Sequence, residues 1–347
     1  MEPGTVLGVG LYLHHPSSYD HDTGAHPENA SRLRAIDAEM GANGHLGLDR
    51  REAPAASRAQ LLRVHSLDHL RAIEAFCVKG GGMLDVDTVA SQWSWDAALH
   101  AAGGAAWAAE ALLGGEDRFA ICALRPPGHH AGRDRAMGFC LLNNVAVAAA
   151  HAIEACGARR VLVLDWDVHH GNGTEAIFAA SPDVVYASIH QWPAYPGTGE
   201  AGYEGEAQGA GFTFNMPVPP GSGNDAFTAL VEHVVAPVAR AHRPGLVIVS
   251  AGFDAHRADP LADCLVDEAG YASMAATVRI LAADLSAPVL VCLEGGYAPA
   301  ALARSLGATV EALAGDVMPV PAPIEAAGAY AERARRFVAE DAGSRSS

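Results

Sequence analysis

Short, almost wholly apolar runs alternate along this chain with long alanine-rich stretches, and few folds accept that pattern. The runs are Val6 to Leu13, Phe119 to Leu124, Arg160 to Leu164, Val184 to Ile189, Leu246 to Ser250 and Val289 to Leu293. Each has strand length and lacks the polar–apolar alternation of a half-exposed strand, so each is expected to be buried on both faces. The stretches between them read as helices at Ser94 to Leu113, Asn143 to Cys156, Ala226 to Ala241, Asp267 to Leu285 and Pro299 to Leu313. Buried strands separated by helices predict an α/β fold, with a parallel sheet covered on both sides. We read residues 1–330 as one domain and 331–347 as a charged helix end and tail.

Composition narrows the class. Half of the 347 residues are hydrophobic, which supports a large core and argues against disorder. No apolar stretch approaches the roughly 20 residues of a membrane helix, and the Met1-Glu2-Pro3-Gly4 start lacks the basic region of a secretory signal. The formal charge of −17 disfavours nucleic acid. Lys79 is the sole lysine, so Schiff-base chemistry would rest on one residue beside Gly80-Gly81-Gly82. The six cysteines are scattered, with no Cys-x-x-Cys, and read as reduced core residues of a cytoplasmic protein. Trp93, Trp95 and Trp107 read as core.

The polar residues that interrupt this apolar pattern cluster where strands should emerge into loops. Asp165-Trp166-Asp167-Val168-His169-His170-Gly171 follows one run, Arg125-Pro126-Pro127-Gly128-His129-His130 a second, and Gly252-Phe253-Asp254 a third. Ligands of α/β sheets bind beyond the carboxyl ends of the strands. Asp167 and His169, spaced by two, would point the same way in extended backbone. With Asp254 they would make a three-ligand site that leaves a position for water, suited to zinc, with Fe2+, Co2+ or Mn2+ as alternatives. The His129-His130 pair suggests a general base with an acid or electrostatic partner. Tyr297, after Glu294-Gly295-Gly296, could offer its hydroxyl to a developing oxyanion. Gly197-Thr198-Gly199-Glu200-Ala201-Gly202 matches a dinucleotide fingerprint in letters only, since no strand leads directly into it and no helix follows.

With these motifs the chain resembles the zinc-dependent histone deacetylase and acetylpolyamine amidohydrolase family over about residues 5–315. His26-Pro27-Glu28 with Arg32, Gly138-Phe139-Cys140 and Asn143-Asn144 match in order with the segments above. The resemblance implies an arginase-like α/β/α sandwich around a mostly parallel, eight-stranded sheet. It implies zinc on Asp167, His169 and Asp254, with potassium beside it on Asp165, Asp167, His169 and Ser188. His130 would be the general base and acid acting on metal-activated water, His129 the supporting imidazole held by Asp165, and Tyr297 the carbonyl-polarising group. Asn172 stands where some members carry an Asp behind the second histidine, a class II-like trait. Gly138, Phe139 and Tyr195 would line the acyl channel, and Arg32 an inner channel for acetate release.

The implied reaction removes acetyl or other short acyl groups from lysine side chains or similar amines. Polyamine-selective relatives carry a Glu at the pocket mouth where Leu261 stands here, which favours an acetylated lysine peptide or protein, or a small acylated amine. An acetylpolyamine substrate is the second reading. A non-catalytic, metal-holding acyl-binding protein is the third, and the intact His129, His130 and Tyr297 argue against it. An arginase-type two-metal site would need more carboxylates than these segments supply.

Overall fold

The computed structural model describes residues 10–344. Eight strands form one sheet: β1 Leu11–His14, β2 Asp49–Glu52, β5 Phe119–Cys122, β6 Val161–Asp165, β7 Val184–Gln191, β8 Thr213–Val218, β9 Leu246–Ala251 and β10 Val289–Leu293. Their order across the sheet is β2-β1-β5-β10-β9-β6-β7-β8, and every pairing is parallel. A small antiparallel hairpin, β3 Gly81–Met83 and β4 Val89–Ser91, stands apart. The strand read at Val6 to Leu13 begins outside the described residues, and its described part is β1.

The continuous apolar runs are explained by what lies on each face. Alternate residues of β6, Val161 and Val163 against Leu162 and Leu164, enter two different hydrophobic layers, and β9 and β10 divide in the same way. The helices Ser94–Leu113 and Asn144–Glu154 cover one face. The helices Ser31–Ala42, Glu268–Leu285 and Pro299–Ala314 cover the other. The alanines of Ser94–Leu113 let that helix lie close: a side chain on Gly104 would stand 2.7 Å from Leu124 and 2.8 Å from Ala53.

Two sheet strands carried no sequence signal of their own, and both are edges. β2 is Asp-Arg-Arg-Glu, exposed at every position, and its charges guard the edge against pairing with another chain. β8 contains Asn215 and Pro217, and a strand proline is tolerated at an edge because its missing N–H is not needed by a further neighbour. The helix expected at Ala226 to Ala241 runs from Asn224 to His242 but widens to a π-turn over Val231–Val235. Pro237 follows after Ala236; it cannot donate to the carbonyl one turn back, and the wider turn relieves the ring's clash with it. The C-terminal helix Gly328–Ser344 packs on the fold through Phe337, set edge-on against Phe212 and Phe214, and through Arg333, stacked over Phe214. Trp95 and Trp107 pack against the core as expected, whereas Trp93 is exposed.

Candidate active site

Because all eight strands run the same way, their carboxyl ends open on one side, and the polar clusters collect there. The contributing strands β5, β10, β9 and β6 are consecutive in the middle of the sheet. Segments distant in sequence are therefore placed about one strand spacing apart.

Asp167 and His169 converge by a bend rather than by strand alternation, which corrects the extended geometry expected from their spacing. β6 ends at Asp165, and Asp167 Oδ1 accepts the His169 backbone N–H at 2.9 Å, closing a tight turn. That turn brings His169 Nδ1 to 3.1 Å from Asp167 Oδ1 and 3.2 Å from Asp254 Oδ2. One donor atom from each of the three residues lies within 4.8 Å of the others. The carboxylates are fixed from behind: Asp167 Oδ2 accepts Gly295 N–H at 2.8 Å, and Asp254 Oδ1 accepts Val168 N–H at 2.9 Å. Gly252 and Gly295 must be glycine here, since a Cβ at either would overlap the Asp167 or Asp254 carboxylate. Burial disfavours the His169 cation, but hydrogen bonds to the two carboxylates outweigh it and lift its pKa to about 10. Two buried carboxylates and one imidazole, with no lysine or arginine among the contacts drawn above, form a donor set matched in charge and type to a divalent ion.

Beside this group the two imidazoles of His129 and His130 lie with centroids 4.0 Å apart. Their partners differ. His129 Nδ1 is 3.0 Å from Asp165 Oδ2, an oxygen that also accepts the Tyr186 hydroxyl at 3.0 Å. His130 Nδ1 is 2.8 Å from Asn172 Oδ1, an amide. Burial works against both cations. For His129 the Asp165 and Asp167 carboxylates overcome it and hold the pKa well above the ordinary value. For His130, burial and the neighbouring His129 and His169 charges act together and hold the pKa well below it.

Comparison with known proteins agrees with this geometry. Residues 26–313 match the histone deacetylase domain. The chain belongs to the histone deacetylase family. It is 42% identical over 311 residues to a probable deacetylase of Methanothermobacter thermautotrophicus, covering 88% of this chain and 91% of that protein. It is 40% identical over 313 residues to the histone deacetylase-like amidohydrolase of Pseudomonas aeruginosa, covering 89% and 81%. The crystal structure of the HD domain of HDA15 superposes with a TM-score of 0.86 at 35% identity, covering 96% of this chain and 99% of that one. The protein is thus a hydrolase, an amidohydrolase of deacetylase type. The family is metal-dependent, and Asp167, His169 and Asp254 are its candidate metal site here.

The remaining residues expected for a deacetylase lie around this centre. Phe139 is edge-on to His26 at 4.4 Å and to Tyr297 at 5.6 Å, while Tyr195 is edge-on to His130 at 5.1 Å and to His169 at 6.2 Å. Gly138 and Phe139 both have positive φ, and this turn presses Gly138 against the His130 ring. Leu261 is 40% exposed, and its N–H donates to Asp259 Oδ1 at 3.0 Å; the other Asp259 oxygen accepts Tyr297 N–H at 2.6 Å. Arg32 is fully buried beneath Tyr297, donating to Gly296 O at 2.7 Å with its guanidinium 5.1 Å from the tyrosine ring. Ser188, opposite Asp165 in the β6–β7 register, bonds His190 at 2.9 Å.

Some site residues escaped the sequence reading. Glu294 was noted only as part of a turn, yet its buried carboxylate accepts Gly128 N–H at 2.6 Å, His129 N–H at 3.1 Å and Ser250 O–H at 3.0 Å. It therefore sets the loop that aims both histidines. Burial pushes its pKa up to about 7, and the His129 charge and these N–H groups oppose the rise. Glu28 ties Arg32 to Arg125, the residue that opens the same loop, inside the fold. A glutamate next to Gly-Gly at the end of a buried strand was the available hint for Glu294. Nothing in the sequence linked Glu28 to Arg125.

Proposed function

We propose that this protein hydrolyses the amide of an acetylated lysine side chain, or of a similar short-acyl amine, releasing the acid and the free amine. The observation that carries the reading is the paired histidines: adjacent imidazoles beside a three-donor metal group, one backed by a carboxylate and the other by an amide. Zinc on Asp167, His169 and Asp254 would polarise the acyl carbonyl and acidify a water molecule near neutral pH. His130, held neutral, accepts the proton of the attacking water at its free Nε2 and then delivers it to the leaving nitrogen. His129, held cationic by Asp165, supplies positive charge beside the developing oxyanion. Tyr297, kept protonated by burial and by the Asp254 charge, remains a hydroxyl donor for that oxyanion. Phe139 and Tyr195 offer apolar walls to an alkyl chain. Potassium held by Asp165, Asp167, His169 and Ser188, largely through backbone oxygens, belongs to the same proposal.

Leu261 at an exposed position near Tyr297 supports lysine over polyamine, because it offers no charge to a second ammonium group. The deciding experiment compares turnover of an acetyl-lysine peptide and N-acetylputrescine by the zinc-loaded protein, with a chelator control and His130→Ala alongside. Preference for the peptide, lost on chelation and in the variant, is expected. Preference for N-acetylputrescine would overturn the substrate and leave the chemistry, and full activity of His130→Ala would overturn the assignment of the base.

A further inference from the structure

Tyr297 sits on a stretch of chain with little stiffness of its own. It follows Gly295-Gly296, and Gly296 has φ +119°, a backbone that residues with side chains rarely adopt. Just after it the helix Pro299–Ala314 begins at Ala298, which brings no side-chain cap. Phe139, edge-on at 5.6 Å, and the Arg32 guanidinium at 5.1 Å pack the tyrosine ring without fixing the backbone that carries it.

The bond that fixes this backbone comes from the loop after β9, which also carries Asp254. In that loop the Asp259 N–H donates to the His256 carbonyl at 2.8 Å, and Pro260 follows with its φ set by the ring. Asp259 Oδ1 accepts the N–H of Leu261, two residues on, at 3.0 Å, a local turn that aspartate favours. The turn leaves Oδ2 free to reach outside the loop, where it accepts Tyr297 N–H at 2.6 Å, 38 residues away in sequence. Asp259 is only 7% exposed. A buried carboxylate is costly unless its oxygens are bonded, and here each oxygen takes one backbone N–H.

We propose that Asp259 is a positioning residue for the reaction: through Tyr297 N–H it sets where the tyrosine hydroxyl stands relative to the metal group, to which its own loop contributes Asp254. This rests on the amide-hydrolase reading given above. Asparagine at 259 separates the two bonds. Its one acceptor oxygen serves the local turn with Leu261, and its NH2 then faces Tyr297 N–H, donor against donor. The loop keeps its turn while Tyr297 loses its anchor. Serine also makes the local turn and offers no second acceptor, so Asp259→Ser stands in where the asparagine variant does not fold.

The test is steady-state turnover of an acetyl-lysine peptide by the zinc-loaded full chain, with bound zinc and thermal unfolding measured on each variant. In Asp259→Asn and Asp259→Ser, kcat and kcat/KM should fall together by about ten- to a hundredfold with zinc retained, because the misplaced hydroxyl is needed only in the transition state. The same Asp259→Asn change made in Tyr297→Phe should lower turnover by less than about twofold, since no hydroxyl remains to be misplaced. A merely structural role for Asp259 would make the two losses multiply. Wild-type kcat in both Asp259 variants, or multiplied losses in the double variant, would overturn the proposal and leave the hydrolase reading standing. Unchanged turnover of Tyr297→Phe alone would overturn this proposal together with the role of Tyr297 on which it rests.

Discussion

Gly138→Ala isolates the position of the His130 ring from the stability of the fold. Gly138 has φ +57°, and a Cβ built there overlaps His130 Cδ2 and stands 2.6 Å from Cγ and 2.9 Å from Cβ, against 3.4–4 Å for ordinary contact. The His130 ring must therefore withdraw by roughly an ångström, which by itself lowers turnover by about a hundredfold when a catalytic group is misplaced that far. Left-handed backbone adds only about 1–2 kcal/mol for a non-glycine residue, too little to unfold a domain of this size. The assay is kcat on an acetyl-lysine peptide together with bound-metal content and thermal unfolding. Gly132→Ala, in the same loop with nothing within 4 Å of the added carbon, serves as control. We expect kcat to drop about a hundredfold in Gly138→Ala with metal content retained, and the control to behave as wild type. Turnover within about threefold of wild type in a folded, metal-replete Gly138→Ala would show that the ring position does not limit the reaction.

Other expectations follow from single contacts. Tyr297→Phe removes the hydroxyl while keeping the ring against Phe139, and should reduce kcat by about 10²–10³, or ~2.7–4 kcal/mol, with metal binding intact; unchanged turnover would remove Tyr297 from the mechanism. Leu261→Glu adds a carboxylate at a position 40% exposed, so solvent limits the gain to ~1 kcal/mol, about a fivefold rise in preference for N-acetylputrescine over the peptide; no shift in the kcat/KM ratio would place Leu261 outside the substrate path. His65 bonds the Gly132 carbonyl through Nδ1 and accepts Asn143 N–H at Nε2, both at 2.9 Å, so a second ring proton would face a donor. Burial and His69 lower its pKa to about 3. Between about pH 6.5 and 3 the unfolded chain then binds a proton that the folded chain refuses, so stability drops as the pH is lowered through this window, by up to ~1.4 kcal/mol per unit from this residue. Urea unfolding of metal-stripped His65→Gln should show a correspondingly shallower pH slope, and an identical slope would refute the assignment.

The sequence alone determined the kind of fold and the chemistry of its centre. Runs apolar on both faces require cover on both sides, so β5, β6, β7, β9 and β10 announced themselves, and the sandwich followed. The candidate metal donors and the paired histidines stood out for a related reason: charged and imidazole side chains at the ends of buried strands need partners, and the partners lay in equivalent positions elsewhere in the chain. β2 and β8 were silent because an edge strand owes its conformation to one neighbour's backbone rather than to its own side chains. The tertiary structure decided what depends on contacts between remote segments. It made a bend, not strand alternation, join Asp167 to His169, and it set Glu294 behind the loop of His129 and His130. It also pressed Gly138 against His130 within one loop and brought His15 beside His100 from distant parts of the chain. Buried polar atoms must find partners, and which partners they find is a property of the packed chain.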